Sequence, residues 1–376
     1  MPLPPLVEPV AALSDAERAR TARHRALAGF GELAQRRLAA AHVALVGAGG
    51  LGSPAVLALA AAGVGRLTVI DDDVVEVSNL QRQVIHRLAD VGASKAAGAA
   101  RVAADLSPQT RVTAVTERIH SGNARALLAG ADVVLDGSDT FGTRVAVADA
   151  CAALGVPLVW GVVQEFHAQV TVFWSRPPAG RAPVGLADLY PPDSAGEPPS
   201  CAAVGVLGAL CLQVGALMAQ QAIALVTGVG EPLLGRVALI DGLRMSQREV
   251  PLVGTGRSAA APEPAAEPRA LRPRELRAAL GAEAPPLLVD VRGGDERAAA
   301  PVPAPSLHVP LDELLARPEA LRDAARDRRV VTVCRSGVRS RTAAAALRQV
   351  GIEADTLAGG LEAWHAADPA AAGAPA

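Results

Sequence analysis

The run VALVGAGGLGS, residues 43–53, limits what this chain can fold into more than any other stretch. An aliphatic run ends in glycines spaced GxGxxG (Gly47, Gly49 and Gly52), and an Ala/Leu-rich segment of helical length follows. Glycine at those places permits a tight strand-to-helix turn and lets phosphate oxygens approach the helix N-terminus. The turn predicts a nucleotide fold. NAD is its default ligand, and a turn of no chemical meaning is the alternative.

The alternation of strand and helix continues to about Val250. HVALVG, LTVID, VTAVTER, ADVVLDG and VPLVWG are short runs ending in or near Gly or Asp, and HAQVTVFW and RVALIDGLRM add later strands. Helix-length segments lie between them, which predicts βαβ units and an α/β fold with a Rossmann-like, mainly parallel sheet. Residues 254–270, GTGRSAAAPEPAAEPRA, mix Pro, Ala and charge without periodicity and read as a linker. At roughly 3 Å per residue when extended, such a linker spans tens of ångströms. A smaller α/β pattern follows: LRPRELRAAL, PLLVDVR, VVTVCRSGVRS and LAGGLEAW. The expected organisation is an N-terminal arm (1–30), a first domain (31–253), the linker (254–270), a second domain (271–367) and a disordered tail (368–376).

Composition excludes several classes. Half of the 376 residues are hydrophobic but only 2% are aromatic, so the cores must be built from Ala, Val and Leu. A formal charge of −2 with interleaved signs argues against nucleic acid as a partner. The start, MPLPPLVEPV, has prolines where a signal peptide needs an apolar helix, so no export and a cytoplasmic location are expected. The apolar stretch from Cys201 to Val226 is long enough to raise a membrane span. Gln213, Gln220 and Gln221 interrupt it and no basic cluster flanks it, so a buried core or interface helix is expected and no membrane. The four cysteines, Cys151, Cys201, Cys211 and Cys334, form no CxxC pair, so neither zinc nor a disulfide framework is expected. Cys151 and Cys211 sit in apolar runs and read as core.

The polar run after the second strand sharpens the nucleotide reading. In DDDVVEVSNLQRQVIH, Asp71 closes the strand, where a carboxylate can hold a ribose hydroxyl, and Ser78, Asn79, Gln81, Arg82 and Gln83 follow. Lys95, behind Ser94 at the start of a helical segment, is the only lysine among 36 basic residues. A dehydrogenase needs no cation cluster there. A triphosphate site does, because charge develops on phosphorus oxygens and on departing pyrophosphate. A compact ammonium points several donors at phosphate in a way the planar guanidinium does not reproduce. Asp136 and Asp139, in VVLDGSDTFGTR, close another strand, and two carboxylates at a strand end near phosphates suit Mg²⁺. Taken singly, Asp72 and Asp73 also read as solvated turn residues and Arg82 as a surface arginine.

VxGxGGLGS, DDDxVxxSNLQRQ, VGxxK and DGSDxFxTR occur in this order, and from about Arg20 to Val250 the chain resembles the MoeB/ThiF family. These are ubiquitin-activating-type adenylyltransferases acting on small β-grasp sulfur carriers. The resemblance implies ATP and Mg²⁺, with Gly50, Asp71, Ser78, Asn79, Arg82, Lys95 and Asp139 as nucleotide and metal contacts and Asp139 as the metal ligand. RTARHRAL resembles the family's RYxRHxxL, which implies that Arg23 reaches the partner's ATP across a homodimer. Thr140 stands where the family usually has Asn, and its hydroxyl remains able to donate to phosphate or ribose. Many relatives bind zinc through two CxxC pairs. This chain resembles the zinc-free branch fused to a rhodanese domain, whose DLYPP…SCAxxGVLG is echoed by DLYPPDSAGEPPSCAAVGVLG. In relatives the residue aligned with Cys201 is assigned a thioester or acyl-disulfide role; a small buried residue at a helix start is the alternative.

VVTVCRSGVRSR puts Cys334 at the end of a strand, followed by Arg335, Gly337 and Arg339 and an Ala-rich helix. Backbone N–H groups of such a loop converge on the sulfur, and the helix N-terminus and the arginines favour its anion and a persulfide. Phosphatases use a similar cradle with arginine six residues after the cysteine. Here Ser340 holds that place and Arg339 arrives one residue early, a shorter loop that suits sulfur. LLVDVR, CRSGVRS and LAGGLEAW resemble a rhodanese over residues 271–367, although AAAPVPAPSLHVP replaces the usual GHIPGA, which puts the support of the loop in question. A buried, inert Cys334 is the alternative.

The expected activity is ATP-dependent adenylation of a carrier's C-terminal Gly-Gly carboxylate, assisted by Arg82 and Lys95. Sulfur transfer from Cys334 follows, loaded by a donor such as a cysteine desulfurase. An NAD-dependent oxidoreductase with an appended sulfurtransferase, and a non-catalytic carrier-binding adaptor, are the rival readings.

Overall fold

Aliphatic runs become interior strands because a parallel sheet covered by helices buries both of their faces. The computed structural model describes residues 3–191, 204–254, 268–282, 284–300, 302, 304–326 and 328–367. The chain divides into two compact units, Met1–Ala261 and Pro262–Ala376.

The first unit is built on an eight-stranded sheet of order β3-β2-β1-β4-β5-β6-β7-β8. Strands β1 (His42–Val46), β2 (Arg66–Ile70), β3 (Arg111–Val115), β4 (Val133–Asp136) and β5 (Leu158–Gln164) run parallel. Strands β6 (His167–Phe173), β7 (Arg236–Asp241) and β8 (Ser246–Pro251) continue the sheet antiparallel. The mainly parallel α/β architecture is the one the alternation predicts. RVALIDGLRM, expected as one strand, instead ends at Asp241 and turns back into β8, an exposed edge strand with no aliphatic run to announce it.

The long apolar stretch becomes the helix Gly208–Thr227, a core helix as expected. It is apolar and long enough to span a membrane, yet 61% of that window is buried inside the fold. Gly215 explains how closely it packs: a Cβ there would overlap the Leu51 carbonyl, so only glycine lets this helix cross the turn that precedes the helix Gly52–Ala62. The arm before residue 30 is packed onto the same unit. Leu6 N donates to Leu225 O (3.2 Å), and Arg20 Nη1 donates to Ala61 O (2.6 Å), at the C-terminal end of Gly52–Ala62.

The second unit is a smaller parallel sheet of order β11-β10-β12-β13-β9: β9 (Ala270–Leu271), β10 (Leu287–Asp290), β11 (Ser306–His308), β12 (Val330–Val333) and β13 (Ala354–Leu357). β9 begins on the last residue of the stretch read as linker, and residues 255–267 lie outside the described residues, as does the tail. β11 occupies the segment that replaces GHIPGA, and His308 Nε2 donates to Arg292 O at 2.8 Å, which ties that segment to the end of β10.

Candidate functional site

The C-terminal ends of β1, β2 and β4 open onto a cavity of about 610 Å³. It lies where the strand order reverses about β1, the position at which open α/β sheets receive ligands. The glycine turn forms one wall. Gly47 has φ +88°, and a Cβ at Gly52 would overlap the Gly47 carbonyl, so the turn closes only with glycine at both places. Gly49 and Gly50 border the cavity beside it.

Asp71 also borders the cavity, and it staples the turn to the end of β2. Its Oδ2 accepts from Ala48 N (2.7 Å) and its Oδ1 from Asp73 N (2.9 Å). Burial pushes its carboxyl above the ordinary range, against the pull of those two amides. Lys95 is the first residue of the helix Lys95–Leu106, whose N-cap Ser94 accepts from Ala97 N. An ammonium at a helix N-terminus faces the positive end of the helix dipole, an unfavourable place unless a carboxylate answers it. Asp73 answers it, with Oδ2 2.8 Å from Nζ. Lys95 is 8% exposed and Asp73 69%, so the cation is fixed while its partner faces water. A polyanion arriving in the cavity meets this ammonium.

The SNLQR segment supplies the next wall. Asn79, 6% exposed, spends its side chain locally: Oδ1 accepts from Glu76 N (3.1 Å) and Nδ2 donates to Ser78 Oγ (3.4 Å). Ser78 Oγ donates to Glu76 Oε2 (3.1 Å). Arg82 Nη1 donates to Ser78 O (3.1 Å), and its Cγ and Cδ lie 3.4 Å from where a Gly50 Cβ would stand. The arginine stem therefore lies over the glycine turn.

The two carboxylates expected as a metal pair are separated. Asp136 is 1% exposed, accepts from Ser138 N (2.9 Å) and does not line the cavity, and burial raises its pKa. Asp139 is exposed on the cavity wall. The reason is local: β4 ends on Asp136, so the sheet buries it, and the chain turns outward before Asp139. Among the described residues no group of three or more His, Cys, Asp or Glu side chains could hold a metal. Thr140 lines the cavity and caps the helix Phe141–Leu154, its Oγ1 accepting from Thr143 N (3.4 Å). Arg23 stands exposed on the short helix Ala22–Arg25 and does not line this cavity, and Cys201 lies outside the described residues.

Several lining residues were not singled out by sequence reasoning, Arg144 among them. Arg144, 5% exposed, donates from Nε and Nη2 to Ser138 O (3.2 and 3.0 Å) and sits 5.9 Å from the Trp160 ring centroid. It belongs to DGSDTFGTR, and the motif was its available signal. Gln83, named in the polar run, also lines the cavity and is 3% exposed at the back of SNLQRQ. Cys151 is core, its thiol pushed up by burial. Cys211 is core too and also borders the cavity, its Sγ 3.2 Å from where a Gly50 Cβ would stand.

In the second unit, Cys334 follows β12 and is fully buried. Sγ accepts from Gly337 N (3.2 Å) and Ser340 N (3.3 Å), with Ser340 Oγ at 3.5 Å. Main-chain donors can converge because the loop's carbonyls are taken elsewhere: Leu361 N donates to Cys334 O (2.9 Å) and Glu362 N to Arg335 O (3.0 Å). LAGGLEAW thus works as a brace. A Cβ on Gly360 would overlap those two carbonyls, and Gly337, at φ +90°, packs on the same segment. Both arginines of the loop are paired with acids, and Arg339, whose pKa is raised first by Glu296, also feels the charge of Cys334. Arg339 holds Glu296 through two bonds (2.6 and 2.8 Å) and Arg335 donates to Glu362 (2.8 Å). Arg339 keeps the Glu296 carboxyl down at about 2.

The loop is supported without GHIPGA. Asp290 and Arg292, both buried, form a two-point ion pair (2.9 and 2.8 Å), and Arg292 Nη1 donates to Glu296 O (3.3 Å). This links the end of β10 to the residue that holds Arg339.

The ThiF family matches residues 21–259, and the Rhodanese-like domain matches residues 272–367. The chain is 41% identical over 387 residues to the probable adenylyltransferase/sulfurtransferase MoeZ of Mycobacterium tuberculosis, covering 96% of each. It is 44% identical over 221 residues to the sulfur carrier protein adenylyltransferase of Thermus thermophilus, covering 58% of this chain and 82% of the relative. Against the adenylyltransferase and sulfurtransferase MOCS3-1 of Zea mays it is 34% identical, covering 92% and 81%. The solved structure of E. coli MccB with ATP superposes with a TM-score of 0.54 at 20% identity, over 66% of this chain and 75% of that one, a likeness of fold alone.

Proposed function

The chain belongs to the ThiF family, carries a rhodanese-like domain and is an adenylyltransferase/sulfurtransferase, and from that premise we propose that it activates and then sulfurates the C-terminal Gly-Gly carboxylate of a small β-grasp sulfur carrier. The observation that carries this reading is the convergence of the glycine turn, Arg82, Lys95 and Asp139 on one cavity of nucleotide size.

A carboxylate oxygen of the carrier attacks the α-phosphorus of ATP. The bond to the β-phosphate breaks, pyrophosphate leaves and an acyl-adenylate remains. Arg82 and Lys95 offset the charge that grows on the departing group, and Arg23 adds to them across a homodimer. Asp139, the exposed carboxylate on the cavity wall, would hold Mg²⁺, and the ion would supply neutralisation of phosphate charge.

In the second step the outer sulfur of a Cys334 persulfide, loaded by a donor such as a cysteine desulfurase, attacks the acyl carbon and AMP leaves. The carrier is then joined to Cys334 by an acyl disulfide. A thiol, Cys201 or an external reductant, attacks Cys334 Sγ and releases the thiocarboxylate; the resulting disulfide needs an external dithiol to restore it. The reading places the enzyme in the cytoplasm, where such thiols stay reduced.

The test is exchange of labelled pyrophosphate into ATP with a panel of Gly-Gly carriers, for wild type and Lys95→Ala. Exchange with one carrier, reduced by on the order of 10²-fold or more in the mutant, supports adenylation and identifies the carrier. ATP binding without exchange for any carrier points to the adaptor, and tight NAD binding in place of ATP to the oxidoreductase.

A further inference from the structure

We propose that Glu296 is a specificity-determining residue for the sulfur donor: by holding Arg339 it denies the Cys334 loop a free guanidinium, which turns the site away from oxyanionic donors such as thiosulfate and towards a persulfide carried on a thiol. This rests on the reading of Cys334 as the residue that carries sulfur.

Cys334 is fully buried, so a donor first meets the side chains around its loop. Arg339 stands in the first turn of the helix Val338–Gln349, and its pKa is raised first by Glu296 and also by the charge of Cys334. Its Nη1 and Nη2 donate to the two carboxylate oxygens of Glu296 at 2.6 and 2.8 Å. That two-point face is the one with which a guanidinium grips an oxyanion, and a carboxylate already fills it. Glu296 is itself held in place. Its main-chain oxygen accepts from Arg292 Nη1 (3.3 Å), and Arg292 is tied to Asp290 in a buried pair. Arg335, the other cation of the loop, donates to Glu362. Each of these three arginines is therefore answered by one acid.

The charge carried through the transfer separates the donor classes. With thiosulfate, the Cys334 thiolate attacks the outer sulfur. A new S–S bond forms as the bond to the sulfonate sulfur breaks, and sulfite leaves with the electron pair. A monoanion and a dianion meet in that step, and a free guanidinium would offset their repulsion. With a protonated persulfide, R–S–SH, the same attack on the outer sulfur expels the thiolate RS⁻, and a single negative charge passes through. A rim whose charges cancel suits the second step and opposes the first.

The full chain, assayed without ATP for thiocyanate formed from cyanide, tests this with the dianion thiosulfate and the monoanion methanethiosulfonate as donors. Glu296→Gln is expected to raise kcat/KM for thiosulfate about threefold or more at low ionic strength, chiefly through KM. The gain should be smaller for methanethiosulfonate and should fade as salt is added, while carrier sulfuration from a persulfide does not rise with it. Glu296→Asp keeps the charge and should keep the wild-type donor preference. Arg339→Gln, which leaves Glu296 unanswered, is expected to do the reverse of Glu296→Gln, and it decides the matter if that variant does not fold. An unchanged ratio between the two donors in these variants, or equal losses for both, overturns the assignment. A wild type whose Cys334 gains sulfur from neither anion nor from cysteine persulfide, read by intact-protein mass, overturns the role of Cys334 itself and is recognised without any variant.

Discussion

The cavity beside β1 and the loop around Cys334 share a plan, a parallel strand ending in a glycine turn and a helix, yet they are made of opposite materials. At the first, the turn contributes shape and a helix N-terminus, while the charges come from side chains elsewhere: Arg82, Lys95 and Asp139. At the second, the turn wraps its own residue, and the donors to Cys334 Sγ are the main-chain amides of Gly337 and Ser340. There the arginines are bonded to Glu296 and Glu362. The contrast follows from what each site handles. A visiting polyanion is met by long side chains on an open wall. A sulfur that is part of the chain can be enclosed by fixed dipoles, which keep their direction without a counter-ion.

The largest test of this division is Cys334→Ala. If the two sites are built independently, carrier sulfuration falls to background while carrier-dependent pyrophosphate exchange stays at the wild-type rate. Both rates, measured on the same preparation, check it. A matched loss of exchange would mean that the cavity depends on the second unit, and the comparison would need to be redrawn.

The two regions also differed in how well their sequences could be read. The glycine turn and the Cys334 loop announce themselves because each needs glycine at fixed offsets, and the inner strands β1, β4 and β5 because their aliphatic runs are buried on both faces. Asp136 and Asp139 look alike in LDGSD, and only the end of β4 sends one inward and the other to the cavity. Glu296 lies 43 residues from Arg339, in a helix with no pattern to mark it, so the pairing between the two is illegible in the sequence. Arg144 stands in its motif without a role assigned to it, because no spacing rule tells a buried polar residue on a cavity wall from one on the surface. The short strands β8, β9 and β11 lack the runs by which strands are recognised.

Glu296→Gln gives a smaller effect and probes the brace behind the loop. The folded-state pKa of Glu296 is depressed from 4.5 to about 2 by Arg339. Its contribution to stability is therefore complete above the unfolded value near 4.5 and is lost as pH falls through about 2. Melting of the wild type followed from pH 6 to pH 2 should show this loss, and the glutamine variant should lack that component. The variant frees Arg339, so sulfur transfer at neutral pH should fall by less than about tenfold, as expected for an exposed, screened ion pair. A larger fall would show that Arg339 needs Glu296 in order to act on the sulfur, and the loop would then rely on side chains as the cavity does.

Thr140 is the smallest test and the one that reaches across the comparison, since it is a main-chain device at the site built from side chains. Its Oγ1 accepts from Thr143 N at the head of the helix Phe141–Leu154. Thr140→Ala removes the cap and should lower stability by about 1 kcal/mol in urea unfolding, whereas Thr140→Asn, an equally good capping residue, should change it by only a few tenths. If capping is its whole role, both variants retain wild-type affinity for ATP, and the departure from the family's Asn costs the site nothing. If Thr140→Asn instead tightens ATP, the amide reaches a ligand atom that the hydroxyl does not, and this wall of the cavity lacks a side-chain contact that asparagine would supply.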